Sequence, residues 1–330
     1  MNHGIGSPGR RKLLLGTLGA MGAPCVGAPA WSQSDRPIKF ILPVGVGSGV
    51  DTITRAAAPG LSAALGHTVV VENQPGAGGI VGTAALVRSP PDGYTLSMVS
   101  NNHVIFPSVY KSVPFDPLGD ITPISMVGNT PLMIVANPQK VSANNVRELT
   151  ALLKNQPGRY NYASSGNGTI LQLAVEMYLQ QANVRARHIP YKGVGPMMAD
   201  LIGGQVDFGV LSQPSVLPQI KSGALKALGA CGGERMAALP DLPTLREQGL
   251  ADYVVEGWFA VVAPAKLPAA DVQRIYPALG TAFQAPEVKQ AMDAQGNRIV
   301  LMPPEKTAAY FRSEMEKYAR VVKAAGIEPS

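Results

Sequence analysis

Between Ile38 and Ala57 the chain reads IKFILPVGVGSGVDTITRAA, a short apolar run, a glycine-rich bend and a helical pattern. Ile38, Phe40, Ile41 and Leu42 form a run of strand length. Gly45, Gly47 and Gly49 clear the bend Pro43–Gly49 of side chains, and the helix is expected to begin near Asp51. A strand that turns through such a bend into a helix aims free N–H groups at the space over the helix N-terminus, and that space suits an anion. Few folds use this unit alone. It normally repeats, strand after helix, to build a parallel sheet whose ligands sit at the C-terminal ends of the strands.

The rest of the chain continues that order. Thr68–Glu72 is a second β-rich run leading into the glycine bend Asn73–Gly79, followed by a helix at Ile80–Ser89 and a third strand at Tyr94–Val99. Ser100, Asn101, Asn102 and His103 then fall on the same sheet edge as the two bends. Ile121–Val127 and Pro131–Ala136 are further strands. After Asn137-Pro138 the pattern restarts. A helix at Asn144–Asn155 is stopped by Pro157-Gly158, Tyr160–Ala163 is a strand, Ser164–Thr169 a polar loop and Ile170–Gln181 a helix. Arg187–Tyr191, Val206–Leu211 and Ala224–Gly229 read as strands, with helices at Pro196–Ile202 and Ser215–Ser222. Trp258–Ala263 and Leu132–Ala136 are expected to be strands that cross between two domains. The helical tail, Ala269–Phe283, Pro286–Gln295 and Thr307–Ala325, is expected to return to the first.

At 330 residues the chain is long enough for two cores. The opening residues differ from the rest. Arg10, Arg11 and Lys12 precede an apolar, glycine-rich stretch, no acid occurs before Asp35, and Ala28-Pro29-Ala30 and Ala30-Trp31-Ser32 both fit a small-x-small cleavage site. Residues 1–32 therefore read as a signal peptide for export, Arg10-Arg11 fitting a twin-arginine signal as well as an ordinary one. Its apolar part is too short to span a bilayer. Without it the formal charge drops from +6 to about +3, too mild to suggest nucleic acid. Cys231 alone cannot form an internal disulfide.

The residue types exclude several chemistries. The bend Gly45–Gly49 lacks the lysine of a phosphate-binding loop, and its G-x-G-x-G spacing departs from the dinucleotide fingerprint even though Glu72 stands where a ribose-binding acid would. There is no G-x-S-x-G elbow. His67, His103 and His188 form no H-E-x-x-H or close metal pair. His67 reads as a partner of a helix C-terminus and His188 as a structural histidine, Asp51 as a helix-capping acid. Asn167 and Thr169 bring an amide and a hydroxyl to a second helix N-terminus. No cofactor, no metal and no catalytic residue is expected. A Ser–His–Asp cluster assembled from distant residues would be the sign of a secreted hydrolase.

The series RPIKFILPVGVGSGVD, VVVENQPGAGG, PPDGYTL, YASSGNGT, HIPYKG, DLIGGQVDF, LPDLPT and VVKAAGIEP runs in order over residues 35–330 and resembles the Bug/TctC family, extracytoplasmic solute receptors of tripartite tricarboxylate transporters. The resemblance implies an α/β, two-domain type II periplasmic-binding-protein (Venus flytrap) fold with two crossing strands. Domain 1 would hold 33–135 and 260–330, and domain 2 would hold 136–259. It implies a periplasmic monomer that binds a small organic acid, a di- or tricarboxylate, aromatic acid or acidic amino acid, and serves membrane permease subunits. A sensor kinase is the alternative partner. Ligand contacts would come from Val44, Gly45, Val46, Gly47, Ser48 and Asp51; from Ser100, Asn101 and Asn102; from Ser164, Ser165, Gly166, Asn167 and Thr169; and from Leu211 on the edge after Phe208. Family loops often read P-F-P-P-G-G-x-x-D, where this chain has Val44, Gly45, Val46 and Ser48. A histidine often found three residues after the GNGT threonine is Gln172 here. The physical expectation is two amide-lined bends facing each other and holding an acid without arginine.

Overall fold

The computed structural model describes residues 36–329; the expected signal peptide, residues 1–32, lies outside them. Among the described residues eleven strands fall into two sheets. The first sheet is built from β1 (Ile38–Leu42), β2 (Val69–Asn73), β3 (Thr95–Ser100) and β4 (Ile121–Thr130), with helices α1 (Gly49–Leu65), α2 (Ile80–Val87) and α3 (Asn102–Val109) between them. The chain then passes through Pro131 into β5 (Leu132–Ala136) of the second sheet. That sheet continues with α4 (Val146–Asn155), β6 (Asn161–Ser164), α5 (Ile170–Ala182), β7 (Arg187–Pro190), α6 (Val194–Ile202), β8 (Phe208–Ser212), α7 (Gln213–Lys221) and β9 (Lys226–Ala230). The chain returns to the first sheet as β10 (Gly257–Pro264), followed by α8 (Ala269–Gln284), α9 (Pro286–Ala294), β11 (Arg298–Met302) and α10 (Pro304–Ala324).

The strand orders are β11-β4-β10-β3-β1-β2 and β7-β6-β8-β5-β9. In the first, β1 runs parallel to β2 and β3, while β10 is antiparallel to both β3 and β4. In the second, β6 runs parallel to β7 and β8, while β5 is antiparallel to β8 and β9. The two sheets thus repeat one plan. Each lobe completes its sheet with one reversed strand delivered by the crossing from the other lobe. Leu132–Ala136 and Gly257–Pro264 are these crossing strands. Their pairing assigns residues 132–135 to the second sheet and 257–259 to the first, a few residues from the expected boundaries, because each strand pairs only after it has crossed.

Two elements were not expected. Asn102–Val109 is a helix despite Pro107, and Arg298–Met302 is an edge strand beside β4. The first lobe buries α1 and α8 against one face of its sheet, with Ile38, Phe40, Ile53, Leu61, Leu279 and Phe283 in the core. The other face joins a larger core that runs through the crossings into the second lobe. α10 packs on α3 and β4 and also touches α5.

The crossings are tied by buried polar groups. Asn101 is 3% exposed. Its Oδ1 accepts from the Trp258 N–H (2.8 Å), and its Nδ2 donates to Glu256 O (3.1 Å) and Tyr318 Oη (3.3 Å). Trp258 Nε1 donates to buried Glu314 (3.1 Å), and its ring stacks on Phe311.

Candidate functional site

The first bend forms as expected, and its residues hold one another. Ser48 caps α1, its Oγ accepting from the Asp51 N–H at 3.2 Å. Asp51 is buried and reaches back to accept from the Gly47 N–H at 2.9 Å, a variant of the capping box. Its carboxylate also accepts from Asn73 Nδ2 (2.9 Å) and Arg55 Nε (3.0 Å). These donors hold its carboxyl below the usual carboxylate range although burial opposes them. Gly47 sits at φ +78°, where a side chain would be strained. The N–H groups of Gly49 and Val50 find no acceptor among the described residues. They open on a cleft of about 510 Å³ between the lobes.

This cleft is lined from the first lobe by Gly47–Val50, Thr52, Ile53, Phe259, Gln295 and Asn297, by Thr130 at the crossing, and from the second lobe by Ser212, Pro214 and Ser215. No charged side chain lines it among the described residues. On the second lobe the two hydroxyls face each other at 2.9 Å, and Ser215 Oγ donates to Ser212 O at 2.8 Å.

The second bend meets a different cavity. Asn167, Gly168 and Gln172 face Val109, Tyr110, Ile327 and Glu328 around a space of about 240 Å³. A Cβ on Gly168 would lie 2.7 Å from that of Val109, so glycine is what lets this loop approach α3. The two glycine bends therefore lie on the interlobe seam but do not line one cavity. The shared plan of the lobes explains this: α1 is met by the start of α7, and the bend before α5 is met by α3, its counterpart in the other lobe.

The hydrogen bonds of the second bend are directed around a closed chain. The Gly168 N–H donates to Gln172 Oε1 (2.6 Å), which turns Gln172 Nε2 toward His188 Nδ1 (3.2 Å). His188 Nδ1 must then accept, so Nε2 carries the proton and donates to Ser164 Oγ (2.6 Å), which in turn donates to Gly166 O (3.0 Å). Burial pushes the His188 ring down to about 4, and the ring stacks on Tyr162. The pair looks like part of a nucleophilic triad, but its proton faces the wrong way for a base and its third member is an amide. The Ser–His–Asp cluster that would mark a hydrolase is not formed here.

Several expected contact residues serve other tasks. Val44 packs on the first-lobe core, and its carbonyl accepts from Asn73 Nδ2. Gly45 and Val46 form the bend's tip, Val46 being 78% exposed. Ser100 pairs with Phe259 inside the sheet, and the Asn101 amide donates to Glu256 O at the crossing and to Tyr318 Oη of α10. Asn102 donates to Gly78 O. Ser165 O accepts from the Gly193 N–H, and Thr169 Oγ1 donates to Gly166 O (2.8 Å). Leu211 is fully buried with its side chain in the core, so the edge that meets the cleft begins one residue later, at Ser212. His67 stacks edge-on against Tyr94 and makes no hydrogen bond to the end of α1 among the described residues. Thr130, Ser215, Gln295 and Asn297 were not foreseen. Gln295 and Asn297 lie in the connection from α9 to the unexpected strand β11, and Thr130 at the far end of β4 beside the crossing. Only the polar Gln295-Gly296-Asn297 after a helix could have signalled part of this set.

Residues 53–327 match the sequence model of the Tripartite tricarboxylate transporter family receptor, TctC. The chain belongs to this receptor family. The TctC receptor is 36% identical to Protein BugT of Bordetella pertussis over 293 residues, 88% of this chain and 90% of that one. It shares its fold with the periplasmic binding protein BugD at 32% identity and a TM-score of 0.75, covering 89% of this chain and 99% of BugD. MatC from Rhodopseudomonas palustris, solved with bound malate, has the same fold at 24% identity and a TM-score of 0.74, covering 87% and 99%. The two-lobed periplasmic-binding-protein fold and the place of this TctC receptor among periplasmic solute-binding receptors follow. No helix among the described residues is long and apolar enough to cross a membrane.

Proposed function

We propose that this receptor captures a small carboxylate in the periplasm, closes over it and presents it to the permease subunits of a tripartite tricarboxylate-type transporter, without chemistry on the ligand. One observation carries the reading: among the described residues, the N–H groups at the start of α1 meet no acceptor and open on an interlobe cleft of about 510 Å³ lined by uncharged groups alone. A carboxylate in that position gains the helix dipole and two charge-assisted bonds, with Ser212 and Ser215 within the same cleft. A Kd near 1 μM corresponds to about −8 kcal/mol. Bonds to a charged group contribute about 1.5–3 kcal/mol each. Four to six of them suffice after ligand ordering and closure are subtracted. The bend Ser164–Thr169 spends its Gly168 N–H and its Ser164 and Thr169 hydroxyls within its own network, so the reading rests on the α1 bend. The malate carried by MatC is of the expected size and charge.

The test is calorimetric titration of protein stripped of ligand by unfolding and refolding, with a panel of di- and tricarboxylates, aromatic acids and amino acids. At least one acid is expected to bind at micromolar Kd, and Ser215→Leu, which fills the cleft, is expected to weaken it tenfold or more. A folded, stripped protein that binds no acid refutes the assignment.

A further inference from the structure

Beside the hinge lies a second space, and one buried polar group turns into it. This chamber of about 310 Å³ takes its walls from both crossings, at Pro131 and Glu256, from Gln213 at the start of α7, and from Asp293 and Gly296 at the end of α9. Gln213 is 5% exposed, yet its side chain makes no hydrogen bond among the described residues, and neither of its amide atoms is shut off from water. Ser212, Pro214 and Ser215 on either side of it line the acid cleft, whereas Gln213 lines the chamber and not the cleft. Gly296 fixes that direction. It sits at φ +62°, and Gln213 Nε2 lies against it so closely that a Cβ there would collide. Gly296 also faces the chamber and not the cleft. With Nε2 laid on Gly296, Gln213 Oε1 is left to accept, and a ligand that supplies a donor recovers the cost of burying it unmet.

The charges around the chamber are unequal. Arg235 is spent on Glu247, which stands outside it, at 3.0 Å. Arg298 is shared by Glu234 and Glu256. Asp293 has no ion-pair partner among the described residues. The three carboxylates therefore answer to the one guanidinium of Arg298, which leaves negative charge in surplus. Among the described residues no group of acids, histidines or cysteines converges closely enough to hold a metal ion, so the surplus suits an organic cation. Pro131, Met236, Ala237 and Ala238 add an apolar wall for its carbon chain.

We propose that this chamber is a second binding site, for a small alkylammonium ion. An N–H of the ligand donates to Gln213 Oε1, its charge is met by Asp293 and by the surplus of the Glu234–Arg298–Glu256 cluster, and its chain lies on the apolar wall. The positive end of α1 repels such a cation, so it does not compete for the acid cleft. The chamber is separate from that cleft and does not depend on how the cleft is read.

The experiment is calorimetric titration of the stripped protein at low salt and neutral pH with butylamine and 1,4-diaminobutane, both ammonium ions there. Potassium and tetramethylammonium, which carry no N–H, are the controls. At least one amine is expected to bind with a Kd below about 1 mM. Both controls are expected to bind about tenfold more weakly or worse, for want of the bond to Gln213. Gln213→Leu is expected to weaken the amine by about tenfold as well. Asp293→Asn is expected to weaken it by about threefold; this exposed, isosteric change keeps the test open if the leucine variant does not fold. Absence of amine binding, equal binding of amines and controls, or amine binding untouched by Asp293→Asn and by a folded Gln213→Leu overturns the site. Acid titrations of the same protein are a separate readout, so loss of the amine site leaves the acid cleft standing.

Discussion

At the scale of single residues, the site is held by side chains that never meet a ligand. Asp51 is the clearest case. Its position three residues after Ser48 marks it as a capping acid, and three protein donors complete that role. His103 shows what local sequence does not carry. It lies in the first turn of a helix that sequence pattern did not reveal, stacks on Phe115, and holds Pro117 O at 2.6 Å through Nε2 while buried Nδ1 has no partner among the described residues. Protonation would bury a charge with no acceptor, so burial pushes this histidine down to about 4 from 6.5. The unfolded chain then binds a proton that the folded one refuses. Stability is full above pH 6.5 and falls as pH drops toward 4, by roughly 3 kcal/mol from this residue. His188 acts in the same direction. Urea midpoints at pH 7, 5.5 and 4 should show the loss, and His103→Phe should make it shallower, leaving the share owed to His188. An equally steep fall in His103→Phe would place the acid sensitivity elsewhere.

At the scale of elements, α1 couples the bend to the lobe beneath it. A Cβ on Gly60 would stand 3.3 Å from the Ala282 backbone of α8. The two helices thus touch almost backbone to backbone, and the N-terminus of α1 is aimed by that contact. Gly60→Val is expected to cost about 1–3 kcal/mol by overpacking and to weaken acid binding through a displaced α1. Denaturation and titration of the same sample check both effects; full stability with normal affinity would show that the helices can separate harmlessly. The elements that could be read directly are those whose signals are local. Ile38–Leu42 is apolar but for Lys39 and runs into the glycine-rich bend, and α4 has one apolar face after its Asn145 cap. Arg298–Met302 was silent because it is a half-exposed edge strand with an irregular register against β4 and Leu301 at φ +51°. Asn102–Val109 was silent because Pro107 interrupts it and no side chain caps it. The same limit applies to the cleft. Its α1 wall is local sequence and was legible. Its opposite wall depends on which lobe-two loop the crossing brings across, and a pattern of residues holds no record of that.

At the scale of the whole molecule, the lobes are joined by two crossings, by a shared core and by an ion cluster beside the hinge. Arg298, on β11 of the first lobe, pairs with Glu234 after β9 at 2.9 Å and with Glu256 at the return crossing, which Asn129 also contacts. Glu234 is largely exposed, so its pair contributes only about 0.2–1 kcal/mol and is screened by salt. Small as it is, it acts on the equilibrium that ligand binding must shift. If separating the lobes breaks the Arg298–Glu234 pair, its loss lowers the fraction of closed receptor by up to about fivefold, and apparent affinity falls in proportion. Glu234→Ala, which leaves the Arg298–Glu256 pair in place, is therefore expected to raise the Kd of a bound acid by up to about fivefold with little change in unfolding midpoint. Salt at 0.5 M should move the unaltered receptor toward the variant and leave the variant nearly still. Since no charged group lines the cleft itself among the described residues, comparing the two salt dependences separates screening of the ligand carboxylate from screening of the hinge. Equal salt dependence in both proteins, with equal Kd, would show that this pair does not follow the movement of the lobes.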